Sequence, residues 1–189
     1  KLVGYITASY PNKNFTIDLA LSLKEAGVDK LELGIPFSDP VADGKVIEKA
    51  NLKSLENGFK IDDIFDISTI IAPEINTLLM GYMNPFYNRG IDYFVKRSKE
   101  IGIKGFIIPD LPYEESLIYK NITDKNGVPL INFIAPTTPK DRINMIVKDS
   151  KEFIYLVAYA GITGSGKKED LSETIKNIRE FSDTPLYIG

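Results

Sequence analysis

Two carboxylates in the segment LELGIPFSDPVADG (residues 31–44) are the side chains most able to carry out acid–base chemistry. Glu32 interrupts an apolar stretch with the residue types of a β-strand, and Asp43 follows eleven positions later, at the end of a loop with two prolines. A carboxyl group that is buried away from water has a raised pKa, because burial disfavours its charged form. Glu32 is therefore a candidate for proton transfer near neutral pH.

The composition leaves carboxylates as the main candidates for this chemistry. The 189 residues include no histidine and no cysteine, which excludes Ser-His-Asp triads, thiol nucleophiles, disulfides and cysteine-based zinc sites. The net charge of -3 argues against nucleic acid as a main partner, since a phosphate backbone selects a basic surface. No apolar run approaches the roughly 18 residues of a membrane-spanning helix, so we expect no membrane partner.

Strands and helices alternate along the chain. The residue types predict strands at 2–8, 28–33, 75–80, 105–108, 130–134, 153–158 and 185–188. They predict helices near 14–26, 45–57, 62–71, 90–101, 113–125, 139–149 and 171–181. Alternation of this kind is typical of βαβ units and a parallel sheet.

One βα module recurs, because KEAGVDKLEL (24–33) resembles KEIGIKGFII (99–108). A flavodoxin-like or Rossmann sheet also alternates, but usually with five or six strands, and seven are visible here. The sequence therefore predicts an α/β fold, a (β/α)₈ barrel in a single domain over residues 1–189. A closed barrel needs an eighth strand, so we expect the last βα units to lie beyond Gly189.

The two acids are expected on the functional face of this barrel, at the C-terminal ends of its strands. Side chains alternate along a strand, so if Leu31 and Leu33 pack against helices, Glu32 points into the barrel. The same parity directs Tyr155 inward, towards Glu32. Two structural alternatives stay open at this point: Glu32 as an internal ion pair with Lys30, and Asp43 as the N-cap of the following helix.

The segment GITGSGKK (161–168) has most of a phosphate-binding P-loop pattern. A P-loop requires Ser or Thr after its lysine, and Lys168 stands there instead. Asp110 is a loose candidate for the second acidic motif of such a nucleotide-binding protein. A glycine-rich lid over the site is an alternative that explains the same residues.

The segment 31–44 closely resembles the signature of the tryptophan synthase α subunit family. Further stretches resemble that family in the same order along the chain: YITASYP, LLMGYMNPFYNRG, IIPDLPYEES, YLVAYAGITG and TPLYIG. The resemblance implies a (β/α)₈ barrel that, in this chain, lacks the N-terminal helix and the last βα units. It implies cleavage of indole-3-glycerol phosphate to indole and glyceraldehyde 3-phosphate in the cytoplasm, with no cofactor or metal in this subunit.

The same resemblance implies roles for individual residues. Glu32 would carry protons to and from the substrate, and Asp43 would bind the indole N–H. The substrate would be bound by Tyr5, Tyr155, Thr163 and Gly164. Of these, Gly164 would bind the phosphate group of the substrate. The implied partner is a pyridoxal-phosphate β subunit in an αββα complex, facing the loops at 36–43, 84–90 and 110–116. The alternatives are another phosphate-sugar barrel, an isomerase or decarboxylase, and a non-catalytic barrel that activates a partner.

Overall fold

Seven parallel strands form the centre of the computed structural model, which describes residues 1–158 and 170–189. Four pair in chain order: β1 (Val3–Thr7), β2 (Lys30–Gly34), β3 (Asn76–Met80) and β4 (Phe106–Ile107). Three more follow in a second sheet: β5 (Asn132–Ile134), β6 (Ile154–Leu156) and β7 (Leu186–Ile188). A single bridge between Phe106 and Leu130 joins the two sheets. All seven predicted strands are present, and the (β/α)₈ fold class is confirmed.

The helices of the described residues connect these strands on their outer side. Their bounds are α1 Lys13–Glu25, α2 Lys45–Glu56, α3 Asp63–Ile71, α4 Met83–Arg89, α5 Ile91–Ile101, α6 Tyr113–Lys125, α7 Lys140–Asp149 and α8 Ser172–Arg179. Each predicted helix is found within a few residues of its expected ends.

Helix α4 was not predicted, because its sequence has Asn and Pro near the start and reads as a loop. Pro85 is tolerated there, since the first turn of a helix has no internal acceptors for its N–H groups. Asp110 stabilises this start by accepting a hydrogen bond from Met83 N at 2.8 Å. Gly90, with φ +94°, ends α4 and allows α5 to begin in a new direction.

Alternation along the strands divides the apolar residues into two layers. Leu31 and Leu33 belong to the outer layer, which packs against the helices and includes the rings of Phe65, Phe94 and Phe106. The inner layer contains Leu78, Ile107, Ile131 and Phe153. The prediction that Leu31 and Leu33 face the helices is confirmed, and Glu32 consequently points into the barrel.

The strand register determines which side chains meet inside the barrel. Tyr5 on β1, Glu32 on β2 and Leu78 on β3 are aligned across neighbouring strands. Tyr155 on β6 is aligned with Tyr187 on β7 in the second sheet. Since all the strands are parallel, their C-terminal ends and the loops that follow share one face.

The packing of the outer layer indicates that the loss of one aromatic ring should lower the stability of the protein strongly. Phe94 is fully buried, and its ring centre lies 4.4 Å from that of Phe86 and 5.2 Å from that of Phe65. We expect Phe94→Ala to lower the free energy of unfolding by about 3–5 kcal/mol, because it leaves a cavity. The measurement is urea denaturation, with Phe15→Ala at a 47% exposed position as the control. Equal losses in the two variants would contradict the assignment of this core.

Candidate active site

Glu32 is buried in the barrel interior, with 6% of its surface exposed. Burial raises the pKa of its carboxyl group from 4.5 to about 7. Within residues 1–158 and 170–189, no hydrogen bond to this carboxylate is found. Lys30, the alternative partner, instead places its Nζ 2.5 Å from Glu152 Oε1. Glu32 is thus a carboxyl group that can gain or lose a proton near neutral pH.

Asp43 lies in the turn that leads from the β2 loop into α2. The N-cap of α2 is Gly44, so Asp43 is not the helix cap that the sequence left as an alternative. Its Oδ2 accepts a hydrogen bond from Asn51 Nδ2 at 3.2 Å. Partial burial raises the pKa of Asp43, while hydrogen bonding from Asn51 and Tyr82 opposes the rise. The carboxylate is therefore held in place by α2 while it remains half-exposed.

Two residues that the sequence reasoning missed, Asn51 and Tyr82, fix this loop. Asn51 is 1% exposed on α2, one turn before Ser54, which also faces inward. Tyr82 is 4% exposed; its hydroxyl accepts a hydrogen bond from Ala42 N at 2.9 Å, and its ring stacks on Phe37. The available signals were the position of Tyr82 directly after β3 and the polar Asn51 on the inward face of a helix.

Tyr5 and Tyr155 each pack over a glycine of the neighbouring strand. A Cβ at Gly34 would overlap the Tyr5 hydroxyl, and one at Gly189 would overlap the Tyr155 hydroxyl. Burial raises the pKa of both phenols, and the charge of Glu32 raises each of them further. Asp43 acts on the pKa of Tyr5 in the same way. Tyr5, Glu32, Asp43 and Tyr155 therefore belong to one electrostatic neighbourhood.

The remaining predicted positions fall in the part of the chain that the structure leaves undescribed. Thr163, Gly164 and the whole GITGSGKK segment lie within residues 159–169. Asp110, the loose candidate for a nucleotide-binding acid, instead stabilises the start of α4. Among the described residues, no group of three acidic side chains is arranged to hold a metal ion. No helix in the described ranges is long and apolar enough to cross a membrane.

A cavity of about 410 Å³ opens where β4 and β5 diverge, away from the acids. Its walls include Asp110, Tyr113, Phe133, Arg142 and Val157, and none of the four site residues above. A smaller apolar cavity of about 290 Å³ touches Tyr5 between α1 and α2. The larger cavity is therefore separate from the chemistry that the carboxylates can support.

The arrangement of the four residues favours proton transfer to a flat, largely apolar molecule. A carboxyl group with a pKa of about 7 can donate and accept a proton at neutral pH with little penalty in either direction. The second carboxylate, half-exposed and hydrogen-bonded, can accept an N–H and oppose a developing positive charge. Tyr5 on β1 and Tyr155 on β6 each bring a phenol ring to the barrel interior.

Comparison with known proteins gives a consistent result over the whole chain. The family model described as "Tryptophan synthase alpha chain" matches residues 1–189. The chain is similar to the tryptophan synthase alpha chain of Wolinella succinogenes, with 53% identity over 100% of this chain and 74% of that protein. The structure is similar to tryptophan synthase subunit alpha from Campylobacter jejuni, with TM-score 0.88 and 34% identity over 100% of this chain and 77% of that one. A Mycobacterium tuberculosis tryptophan synthase structure gives TM-score 0.91 at 28% identity, over 100% of this chain and 73% of that one.

The burial of Glu32 predicts an unusual dependence of stability on pH. Its pKa of about 7 in the folded protein exceeds the ordinary 4.5, so the folded state holds the proton more tightly between these values. Stability from this group is complete below about pH 4.5 and is lost as the pH rises through 7. We expect Glu32→Gln, which is always neutral, to be more stable than the wild type at pH 8 by about 3 kcal/mol.

Urea denaturation at pH 4.5 and pH 8 measures this difference. Glu25→Gln, at an exposed position, is the control and should show no comparable change. A Glu32→Gln variant that is no more stable than the wild type at pH 8 would contradict the raised pKa.

Proposed function

The chain belongs to the tryptophan synthase alpha chain family, and we propose that it performs the family's reaction with Glu32 and Asp43 as the acid–base pair. That reaction is the retro-aldol cleavage of indole-3-glycerol phosphate to indole and glyceraldehyde 3-phosphate, in the biosynthesis of tryptophan. The observation that carries the proposed roles is the carboxyl group of Glu32, buried in the barrel interior with a pKa of about 7.

Glu32 is the proposed proton carrier. A proton added to C3 of the indole ring makes the ring an iminium cation, which prepares the bond between C3 and the glycerol carbon for cleavage. The electron pair of that bond then returns to the ring, while the hydroxyl on the glycerol carbon loses its proton and becomes the aldehyde carbonyl. A carboxyl group poised near pH 7 can donate the first proton and accept the second.

Asp43 is the proposed partner of the indole N–H. An ionised carboxylate that accepts this hydrogen bond stabilises the positive charge that appears on the ring nitrogen. Its hydrogen bond from Asn51 supports the role, because a fixed charge stabilises a transition state without first reorganising. The sequence of steps moves protons and one electron pair within the substrate, so it requires no redox group.

The other predicted residues complete the proposed site. Tyr5 on β1 and Tyr155 on β6 are proposed to pack against the flat indole ring. Thr163 is proposed to close over Asp43, and Gly164 to bind the substrate phosphate through its backbone N–H. Both roles rest on the resemblance to the family, since these two residues lie outside the described part of the chain.

The family implies a β-subunit partner, and we propose an αββα assembly with the pyridoxal-phosphate β subunit. The segments 36–43, 84–90 and 110–116 are the proposed contact surface. Two apolar side chains in these segments support it, since Val41 is 79% exposed and Tyr87 is 71% exposed. A non-catalytic barrel would account for such a surface as well, but would not account for the buried Glu32.

The proposed chemistry predicts loss of indole release when either acid is neutralised. We expect Glu32→Gln and Asp43→Asn each to reduce the rate of indole-3-glycerol phosphate cleavage by at least about 10²-fold, the scale of a lost acid or base. The assay is indole release by the full-length protein. Glu25→Gln is the control, because Glu25 is exposed and lies outside both the proposed site and the proposed contact surface. Wild-type activity in Glu32→Gln would disprove the mechanism.

The hydrogen bond to Asp43 predicts that Asn51 is a positioning residue. We expect Asn51→Ala to lower kcat/KM by about 10-fold, because a hydrogen bond to a charged group contributes about 1.5–3 kcal/mol. Ser54→Ala is a matched control, since it removes another buried hydrogen bond of α2, from Ser54 Oγ to Ala8 O, that does not involve Asp43. Equal activities of the two variants at equal stability would show that Asn51 has no positioning role.

A further inference from the structure

An ion pair lies below Glu32, between the buried Lys30 and a partly exposed Glu152. Lys30 is 9% exposed, although lysine is rarely buried, and its Nζ is 2.5 Å from Glu152 Oε1. The same Nζ lies 6.0 Å from the centre of the Phe153 ring, which belongs to the inner apolar layer. Lys30 is on β2, and Glu152 lies two residues before the start of β6. These strands are on opposite sides of an eight-stranded barrel, so the lysine side chain crosses its interior.

The pair is one layer away from the candidate site. Lys30 and Glu32 are two positions apart on β2 and therefore face the same side, with their Cα atoms about 6.6 Å apart along the strand. In the same way, Phe153 and Tyr155 are two positions apart and face the same side of the sheet at β6. Lys30 and Phe153 thus form a layer directly beneath Glu32 and Tyr155. A net charge in the lower layer would therefore act on Glu32 across one layer of side chains.

We propose that Glu152 is a tuning residue for the reaction: by neutralising Lys30, it keeps the barrel interior free of net positive charge and so allows Glu32 to hold its proton. The effect on turnover rests on the proposed function, whereas the effect on the ionisation of Glu32 does not. Without Glu152, the unpaired positive charge of Lys30 beneath Glu32 would favour the carboxylate form of Glu32.

Electrostatics gives the size of the expected effect. A full positive charge about 8 Å from Glu32, at an effective dielectric constant of about 20, lowers the pKa of the carboxyl group by on the order of one unit. The paired Lys30 and Glu152 have opposite charges that largely cancel at that distance. Within residues 1–158 and 170–189, the other ionisable groups that face this interior or its mouth are the phenols of Tyr5, Tyr155 and Tyr187 and the carboxylate of Asp43. β3, β4 and β5 contribute Leu78, Ile107 and Phe133, which have no charge.

The proposal is tested by measuring the pKa of Glu32 directly. The full-length protein, with ¹³C-labelled glutamate, is titrated by NMR, and the Glu32 resonance is identified by its loss in Glu32→Gln. We expect Glu152→Gln to lower the pKa of Glu32 by about one unit. The double variant Lys30→Met with Glu152→Gln removes both charges and should restore the wild-type pKa. A structural role for Glu152 alone predicts neither the shift nor its reversal.

A second variant and a pH profile distinguish failure of the proposed tuning from failure of the proposed catalytic role. Lys30→Met leaves the Glu152 carboxylate without its cation, so the pKa of Glu32 should rise by a comparable amount, on the order of one unit. This variant decides the matter if Glu152→Gln does not fold. An unchanged or lowered pKa in Lys30→Met, or an unchanged pKa in folded Glu152→Gln, would overturn the proposal. The pH profile of indole release then tests the link to catalysis. If the pKa of Glu32 shifts in Glu152→Gln but the pH profile does not, Glu32 is not the catalytic acid, although Glu152 still tunes its pKa.

Discussion

The burial of one carboxyl group, with no charged partner among the described residues, is the constraint on which this structure depends. Glu32 is 6% exposed, and burial alone accounts for the rise of its pKa to about 7. A buried ionisable group destabilises the fold when it is charged, so the surrounding residues must supply the missing stability. Leu31 and Leu33 do so from the neighbouring positions of the same strand, since both are fully buried against the helices.

The second carboxylate, that of Asp43, is held in place by side-chain contacts rather than by strand geometry. Asp43 lies in a loop, where backbone geometry alone gives little control over a side chain. Asn51 reaches it from α2, and Tyr82 holds the loop from the end of β3 through Ala42 and Phe37. Strand geometry therefore places one acid, and side-chain contacts from two other elements restrain the other. A site built in this way can keep one group rigid while the other remains accessible to solvent and substrate.

The pattern of neighbouring residues was sufficient to predict the strands, most of the helices and the inward direction of Glu32 and Tyr155. Alternation along a strand and the signals that start and stop a helix are both properties of neighbouring residues. Helix α4 was missed because Asn and Pro at its start resemble a loop, and its stabilising partner, Asp110, is 27 residues away. The contacts of Asn51 and Tyr82 with the Asp43 loop and the pairing of Lys30 with Glu152 join residues 8, 40 and 122 positions apart. Such contacts depend on how whole elements pack, and no short segment contains them. The pairing of the two acids came from the family resemblance.

A proton carrier that acts in both directions limits which charges the barrel interior can contain. If the carboxyl group is to donate and then accept a proton at one pH, its pKa must stay close to that pH, and a nearby unpaired charge would move it away. Aromatic and aliphatic side chains satisfy this condition without adjustment, which is consistent with the tyrosines, Leu78 and Ile107 around Glu32. Lys30 does not satisfy it by itself. Its presence two positions from Glu32 is compatible with the chemistry because the Glu152 carboxylate, 2.5 Å from its Nζ, neutralises it.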